Sequence, residues 1–155
     1  MAMLYARDLM TTQFDTIHQD ELVENAIQKI LNSPPRPTGH KSLNLMVVDD
    51  DNTLVGTISM YYILYHLRPP YLLFGIDGSE MTVGGGIDQF VTTVKKKRVC
   101  EIMNPDVLSV EPDDPIISVI DRMIKNHLRR ISVVEKGKLI GVVYLTDIFY
   151  DLFAK

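Results

Sequence analysis

The sequence has 155 residues, 46% of them hydrophobic and 23% charged, which excludes disorder and fibrous repeats and suits one globular domain or two small ones sharing a core. Sixteen Lys plus Arg against twenty Asp plus Glu give a net charge of −4, without the basic excess of a nucleic-acid binder. A single cysteine, Cys100, excludes an internal disulfide, and residues 1–10 contain Arg7 and Asp8 and no signal-peptide core; a cytoplasmic chain that does not enter a membrane is expected.

Taken in chain order, Asp8-Leu9-Met10 opens the pattern, followed by a short strand at Thr16-Ile17. Asp20 is a good N-cap for a helix whose apolar residues Leu22, Ala26, Ile27, Ile30 and Leu31 recur at helical spacing, and Pro34-Pro35 stops it. Leu45-Met46-Val47-Val48, a turn at Asp50-Asp51-Asn52 and the run from Leu54 to Ser59 predict a hairpin, and a helix is expected from Met60 to Leu67. Arg68-Pro69-Pro70 ends that helix. Tyr71-Leu72-Leu73-Phe74 is an apolar group suited to a partner or dimer contact, and Gly84-Gly85-Gly86 reads as a flexible joint. Ile87, Phe90, Val91 and Val94 then predict a short amphipathic helix leading into Lys95-Lys96-Lys97-Arg98, a basic group that suits a solvated helix end.

From Glu101 the pattern starts again. Asp8-Leu9-Met10 recurs as Glu101-Ile102-Met103, Thr16-Ile17 as Ser109-Val110, Asp20 as Asp113, and Leu54-Val55-Gly56-Thr57-Ile58-Ser59 as Leu139-Ile140-Gly141-Val142-Val143-Tyr144. The second helix starts at Asp113 or Asp114 with Pro115 in its first turn and carries Ile116, Val119, Ile120, Met123 and Ile124 on its apolar face. Ile131 to Val134 and Leu139 to Leu145 form the second hairpin, around Glu135-Lys136-Gly137-Lys138, and a helix covers Thr146 to Phe153. The fold class is therefore α+β (α/β in the wider sense): two β-α-β-β-α repeats, at 5–67 and 97–155, flank a 68–96 insert. One unit has too small an apolar face to stand alone, so the two are expected to pack with pseudo-twofold symmetry.

Each half resembles a cystathionine beta-synthase (CBS) domain, and the two in tandem resemble a Bateman module. The resemblance rests on the two openings, Asp8-Leu9-Met10 and Glu101-Ile102-Met103-Asn104-Pro105, on the helices after Asp20 and Asp113, and on the hairpin ending in Gly141-Val142-Val143-Tyr144-Leu145-Thr146-Asp147. It implies a regulatory module and not an enzyme. Such modules commonly bind an adenosine-containing ligand, AMP, ADP, ATP or S-adenosylmethionine, between their repeats and often pair as homodimers; with no catalytic, channel or DNA-binding segment read here, a separate effector protein is expected, the alternative being a ligand-free dimerisation or interaction scaffold. The family signature places a Thr or Ser three residues after the hairpin glycine and an Asp six residues after it. Repeat two has Asp147 in register but Tyr144 at the hydroxyl position; repeat one has Ser59 in register but Tyr62 in place of the Asp. A competent site around Asp147 is expected, the carboxylate accepting ribose hydroxyls or capping the last helix.

Arg129 and Arg130 stand where the family places cations against phosphate, and repeat one has Leu43 and Asn44 there. These arginines serve phosphate or simply a solvated surface. Ser109 and its counterpart Thr16 contact the nucleotide or cap a loop; Val107, Ile131 and Val133 wall a base or fill the core. Asp49-Asp50-Asp51 lacks the spacing of a calcium loop, the four histidines do not cluster, and Cys100 has no histidine partner, so no metal, cofactor or catalytic triad is expected.

Overall fold

The computed structural model describes residues 3–36, 43–68 and 87–154. Tyr71-Leu72-Leu73-Phe74 and Gly84-Gly85-Gly86 lie outside the described residues. In chain order the elements are α1 (Ala6–Leu9), β1 (Thr16–His18), α2 (Val23–Asn32), β2 (Asn44–Val48), β3 (Leu54–Ser59), α3 (Met60–Leu67), α4 (Asp88–Lys95), α5 (Val99–Ile102), β4 (Ser109–Val110), α6 (Ile116–Lys125), β5 (Arg130–Glu135), β6 (Lys138–Tyr144) and α7 (Leu145–Phe153). Both repeats thus follow the β-α-β-β-α order read from the sequence, and the amphipathic helix of the insert is present as α4. The opening motifs, which carried no helix prediction, form the single turns α1 and α5.

Each repeat builds a three-stranded sheet, in the orders β1-β2-β3 and β4-β5-β6. β1 pairs in parallel with β2, Ile17 opposite Val47, and β4 pairs in parallel with β5, Ser109 opposite Ser132. β5 and β6 are antiparallel, with Arg130 opposite Tyr144 at the open end of the ladder. Their tip is the two-residue turn Lys136-Gly137, with φ of 52° and 81°, the left-handed pair that matches strand twist.

The chain divides into two compact units that do not follow the repeat boundaries. One holds residues 1–14, 50–54 and 106–155; the other holds 15–49 and 55–105. Each repeat is therefore closed by the opening segment that precedes the other. In the first unit, Ala6 of α1 is fully buried in a core with Val110, Ile116, Val119, Met123, Ile131, Val133, Val143 and Ile148. In the second, Val99 and Ile102 of α5 are buried with Ile17, Val23, Ala26, Ile30, Leu45, Val47, Ile58 and Val94. Backbone bonds fix both segments in the same way: Ala6 N–H donates to Asp114 O (2.9 Å) and Val99 N–H to Glu21 O (2.8 Å). Thr11 and Val142 exchange a reciprocal pair of bonds, as do Asn104 and Thr57.

This arrangement explains the hairpin glycines. A Cβ on Gly56 would lie 2.5 Å from Met103 Sδ and 2.9 Å from Asn104 O, and one on Gly141 would lie 2.7 Å from Met10 Sδ. The methionine of each opening motif occupies the space that a side chain on the facing glycine would need.

Helix starts differ from the sequence reading. Leu22 and Pro115 are the N-caps of α2 and α6, and neither Asp20 nor Asp113 nor Asp114 caps its helix. The first-turn amides are taken from outside: Val23 N–H donates to Lys97 O (2.8 Å) and Ile116 N–H to Leu4 O (2.9 Å). Carboxylates instead close the preceding turn, Glu21 accepting from His18 N–H and Asp114 from Glu111 N–H. Asp20 lies 4.0 Å from Arg98, and Asp113 pairs with Arg7. Leu22, Leu31, Ile87 and Ile124, expected on apolar faces, are exposed, because each helix buries only a narrow stripe: Val23, Ala26 and Ile30 on α2, Ile116, Val119 and Met123 on α6, Val94 on α4.

Candidate functional site

Five of the residues singled out in repeat two converge on one end of its sheet. β5 begins at Arg130, β6 ends at Tyr144, and the two face each other across the ladder. α7 starts immediately after Tyr144, and its first amide, Leu145 N–H, donates to Arg129 O at 2.9 Å, which draws the helix start to the head of β5. β4 runs parallel to β5, so Ser109, and Val107 before it, approach from the same end.

Asp147 is half-buried in the first turn of α7, where amide hydrogens favour a carboxylate. The capping position itself belongs to Tyr144, whose side chain makes no cap bond. Arg129 is exposed and Arg130 partly buried. Burial holds the Arg130 guanidinium below the usual arginine range; the Tyr144 hydroxyl opposes that shift and the adjacent Arg129 charge adds to it. Two guanidiniums at the head of one strand, one of them partly stripped of water, make a place where an anion gains more than it would at an open surface. A carboxylate and a serine at the same end supply acceptors for hydroxyls. Ile131 and Val133 do not face this end: they are 2% and 0% exposed within the core under α6 and α7.

Repeat one is furnished differently. Ser59 is the N-cap of α3, its Oγ accepting from Tyr62 N–H at 3.2 Å, so the hydroxyl of the expected signature is engaged in holding its own helix. Thr16 sits on β1, and its carbonyl accepts from Lys29 Nζ at 2.7 Å. Tyr62 takes the helix position equivalent to Asp147. Asn44, the counterpart of Arg130, carries the one buried side-chain oxygen without a hydrogen-bond partner among the described residues, Oδ1. The sequence reading noted Asn44 only as a missing cation; a polar residue heading an apolar strand was the available signal. Ser59→Ala is expected to lower unfolding free energy by about 1 kcal/mol, measured by urea denaturation, through loss of the cap.

A family model described as the CBS domain matches residues 6–69 and 99–153. The chain belongs to the CBS domain family. Its two copies stand in tandem, as in a CBS pair, and the alternating order of sheet and helix described above is the fold of that pair. Among curated proteins it is 25% identical over 145 residues to the uncharacterized protein MJ1225 of Methanocaldococcus jannaschii and 27% identical over 149 residues to MJ1004 of the same organism. These alignments take in 91% and 94% of this chain but 40% and 55% of the relatives, so the CBS pair spans about half the length of the curated proteins it matches. Among solved structures, the CBS domain pair of MJ0100, in complex with 5'-methylthioadenosine and S-adenosylmethionine, superposes with a TM-score of 0.65 at 20% identity, covering 99% of this chain and 98% of that one. The cytosolic domain of the Mg2+ channel MgtE, in complex with ATP, gives 0.66 at 23% identity over 96% of this chain and 48% of that one. A CBS domain-containing protein of Kribbella flavida gives 0.75 at 16% identity, covering 98% and 99%. Among the described residues, no helix of this CBS pair is long and apolar enough to cross a membrane, and no group of His, Cys, Asp or Glu is arranged to hold a metal ion.

Proposed function

We propose that this CBS pair is a cytoplasmic regulatory module, not an enzyme, whose second repeat takes an adenosine-containing ligand (AMP, ADP, ATP or S-adenosylmethionine) and relays its presence to a separate effector protein. The observation that carries this reading is the gathering of Arg129, Arg130, Ser109, Tyr144 and Asp147 at one end of the β4-β5-β6 sheet. Asp147 receives the ribose hydroxyls, and Arg129 and Arg130 receive phosphate or another anionic group. The complexes of MJ0100 with S-adenosylmethionine and of MgtE with ATP support the ligand class. Repeat one, with Ser59 capping α3 and Tyr62 at the carboxylate position, holds a ligand weakly or not at all. The module works as a homodimer; the exposed Tyr61 and Leu64 of α3 and the exposed Phe149 and Phe153 of α7 are suited to such contacts, and sedimentation equilibrium tests it.

A thermal-shift screen against AMP, ADP, ATP, S-adenosylmethionine, adenosine, GTP and NAD tests the reading. A ligand at about 100 times its Kd adds about 2.7 kcal/mol, or about 5–10 °C for a chain of this size. A shift confined to adenosine ligands supports the module; no shift with any of them reassigns it as a ligand-free interaction scaffold. Arg129→Ala is expected to weaken ATP and AMP more than adenosine in titration calorimetry, and equal losses for all three would take Arg129 off the phosphate.

A further inference from the structure

α3 and α7 close the two repeats at equivalent positions, Leu64 standing where Phe149 stands, and both leave the same face uncovered. α3 exposes Tyr61, Leu64 and Tyr65, and α7 exposes Phe149, Tyr150 and Phe153. Tyr61 is 67% exposed and Phe153 70%. Rings one turn apart lie against each other on each helix, Tyr61 and Tyr65 with centres 6.4 Å apart and Phe149 and Phe153 5.2 Å apart, so each helix presents a continuous apolar strip.

The strips match in length and spacing and differ in charge. α3 contains no acidic residue; His66 lies in its last turn and Arg68 follows it. The Arg68 guanidinium lies 4.6 Å from the centre of the Tyr65 ring and has no carboxylate partner among the described residues. Positive charge is concentrated there: burial, then the Lys97 charge, then that of Arg68, hold the His66 imidazole below its usual pKa. α7 contains no basic residue and carries Asp147 and Asp151 one turn apart. At the position equivalent to Arg68 it has Phe153.

Two copies of the chain have three ways to bring these strips together. α3 on α3 joins two positive faces, and α7 on α7 joins four carboxylates with no cation between them, an arrangement that opposes association. α3 on α7 is the pairing that sets cations against carboxylates, and it offers the Arg68 guanidinium the rings of Phe149 and Phe153. We infer that in the homodimer α3 of one copy seats on α7 of its partner, so that the first repeat of each copy faces the second repeat of the other. This inference rests on the homodimer reading given above. A second copy is the occupant because the chain itself supplies both halves of the match, two strips of equal length and opposite charge. The pairing also sets the helix that carries Asp147 against the first repeat of the partner.

The test is cross-linking of the full chain in a Cys100→Ser background, since Cys100 is exposed. Leu64→Cys and Phe149→Cys, near the centres of the two strips, are made in copies of different tag length and treated with a short bismaleimide. Both substitutions fall on exposed side chains, and circular dichroism checks that the fold is kept. The mixture is expected to give a mixed cross-linked dimer, and neither variant alone is expected to cross-link to itself. Self-cross-linking of Leu64→Cys or of Phe149→Cys as efficient as the mixed product would overturn the inference by showing like helices in contact. Absence of any cross-link from a protein that sedimentation equilibrium shows to be dimeric would overturn it by placing the interface elsewhere. A monomer in sedimentation equilibrium would instead overturn the homodimer reading, and this inference with it.

Discussion

Replacing Gly56 by alanine is expected to destabilise the protein toward the upper end of the about 1–3 kcal/mol that overpacking costs, and Gly141→Ala toward the lower end. The difference lies in what the new methyl group would meet. At Gly141 the closest atoms are the Sδ and Cγ of Met10, the part of a flexible side chain that can turn aside, and the main-chain-fixed Cβ stands farther off at 3.2 Å. At Gly56 the methyl would also stand 2.9 Å from the carbonyl of Asn104, whose main chain is held by the reciprocal bonds with Thr57. Relief therefore requires moving backbone and loosening α5 from repeat one. Shortening the methionine separates the two effects: Met10→Ala should offset most of the Gly141→Ala loss, whereas Met103→Ala should offset only part of the Gly56→Ala loss. Urea denaturation of the four single and two double variants measures this. Full rescue at Gly56 would show that the Asn104 carbonyl gives way easily and that the methionine alone sets the requirement for glycine.

Asp147→Ala is expected to weaken adenosine-ligand binding by about 1.5–3 kcal/mol, roughly tenfold to somewhat over a hundredfold. The loss is one of acceptors. A carboxylate in the first turn of α7 can take two neighbouring ribose hydroxyls at once in charge-assisted bonds, and alanine leaves both without partners in a partly desolvated place. The helix is capped at Tyr144 and not at Asp147, so the part of the folding cost that comes from the first-turn charge is about 0.3–1 kcal/mol. Calorimetry alongside thermal melts of the unliganded protein distinguishes binding loss from folding loss. An affinity unchanged by the substitution would remove Asp147 from the ligand.

The recurrence of an ordered pattern made most of the fold legible. Val119 and Met123, Ile27 and Ile30, and the runs on either side of Gly56 and Gly141 are spaced by local geometry, and having each of them twice fixed their order. The helix starts were misread because Asp20 and Asp113 look like caps by residue type, while the first amides of α2 and α6 are satisfied by Lys97 and Leu4, far away in the chain. No local rule reports a bond to a distant carbonyl. The same limit hid the exchange of α1 and α5: Asp8-Leu9-Met10 reads as the beginning of the repeat that follows it, and the burial of Ala6 beside Val119 and Met123, with the bonds from Ala6 to Asp114 and between Thr11 and Val142, assigns it to the other. At the candidate site, register alone aligns the arginine pair and Asp147 with the family pattern. The engagement of Ser59 with Tyr62 and the unpaired oxygen of Asn44 depend on side-chain geometry that composition does not encode.

The exchanged segments also set a timetable for the nascent chain. Repeat one leaves the ribosome first, yet its core lacks Val99 and Ile102 until synthesis has passed the whole insert, so its hairpin and α2 wait incomplete while residues 60–98 are made. Residues 4–11 wait longer still, because the β6 strand that receives Thr11 is made only after residue 138. Each repeat therefore depends for its closure on a segment distant in the chain, and neither core can be completed from its own repeat alone.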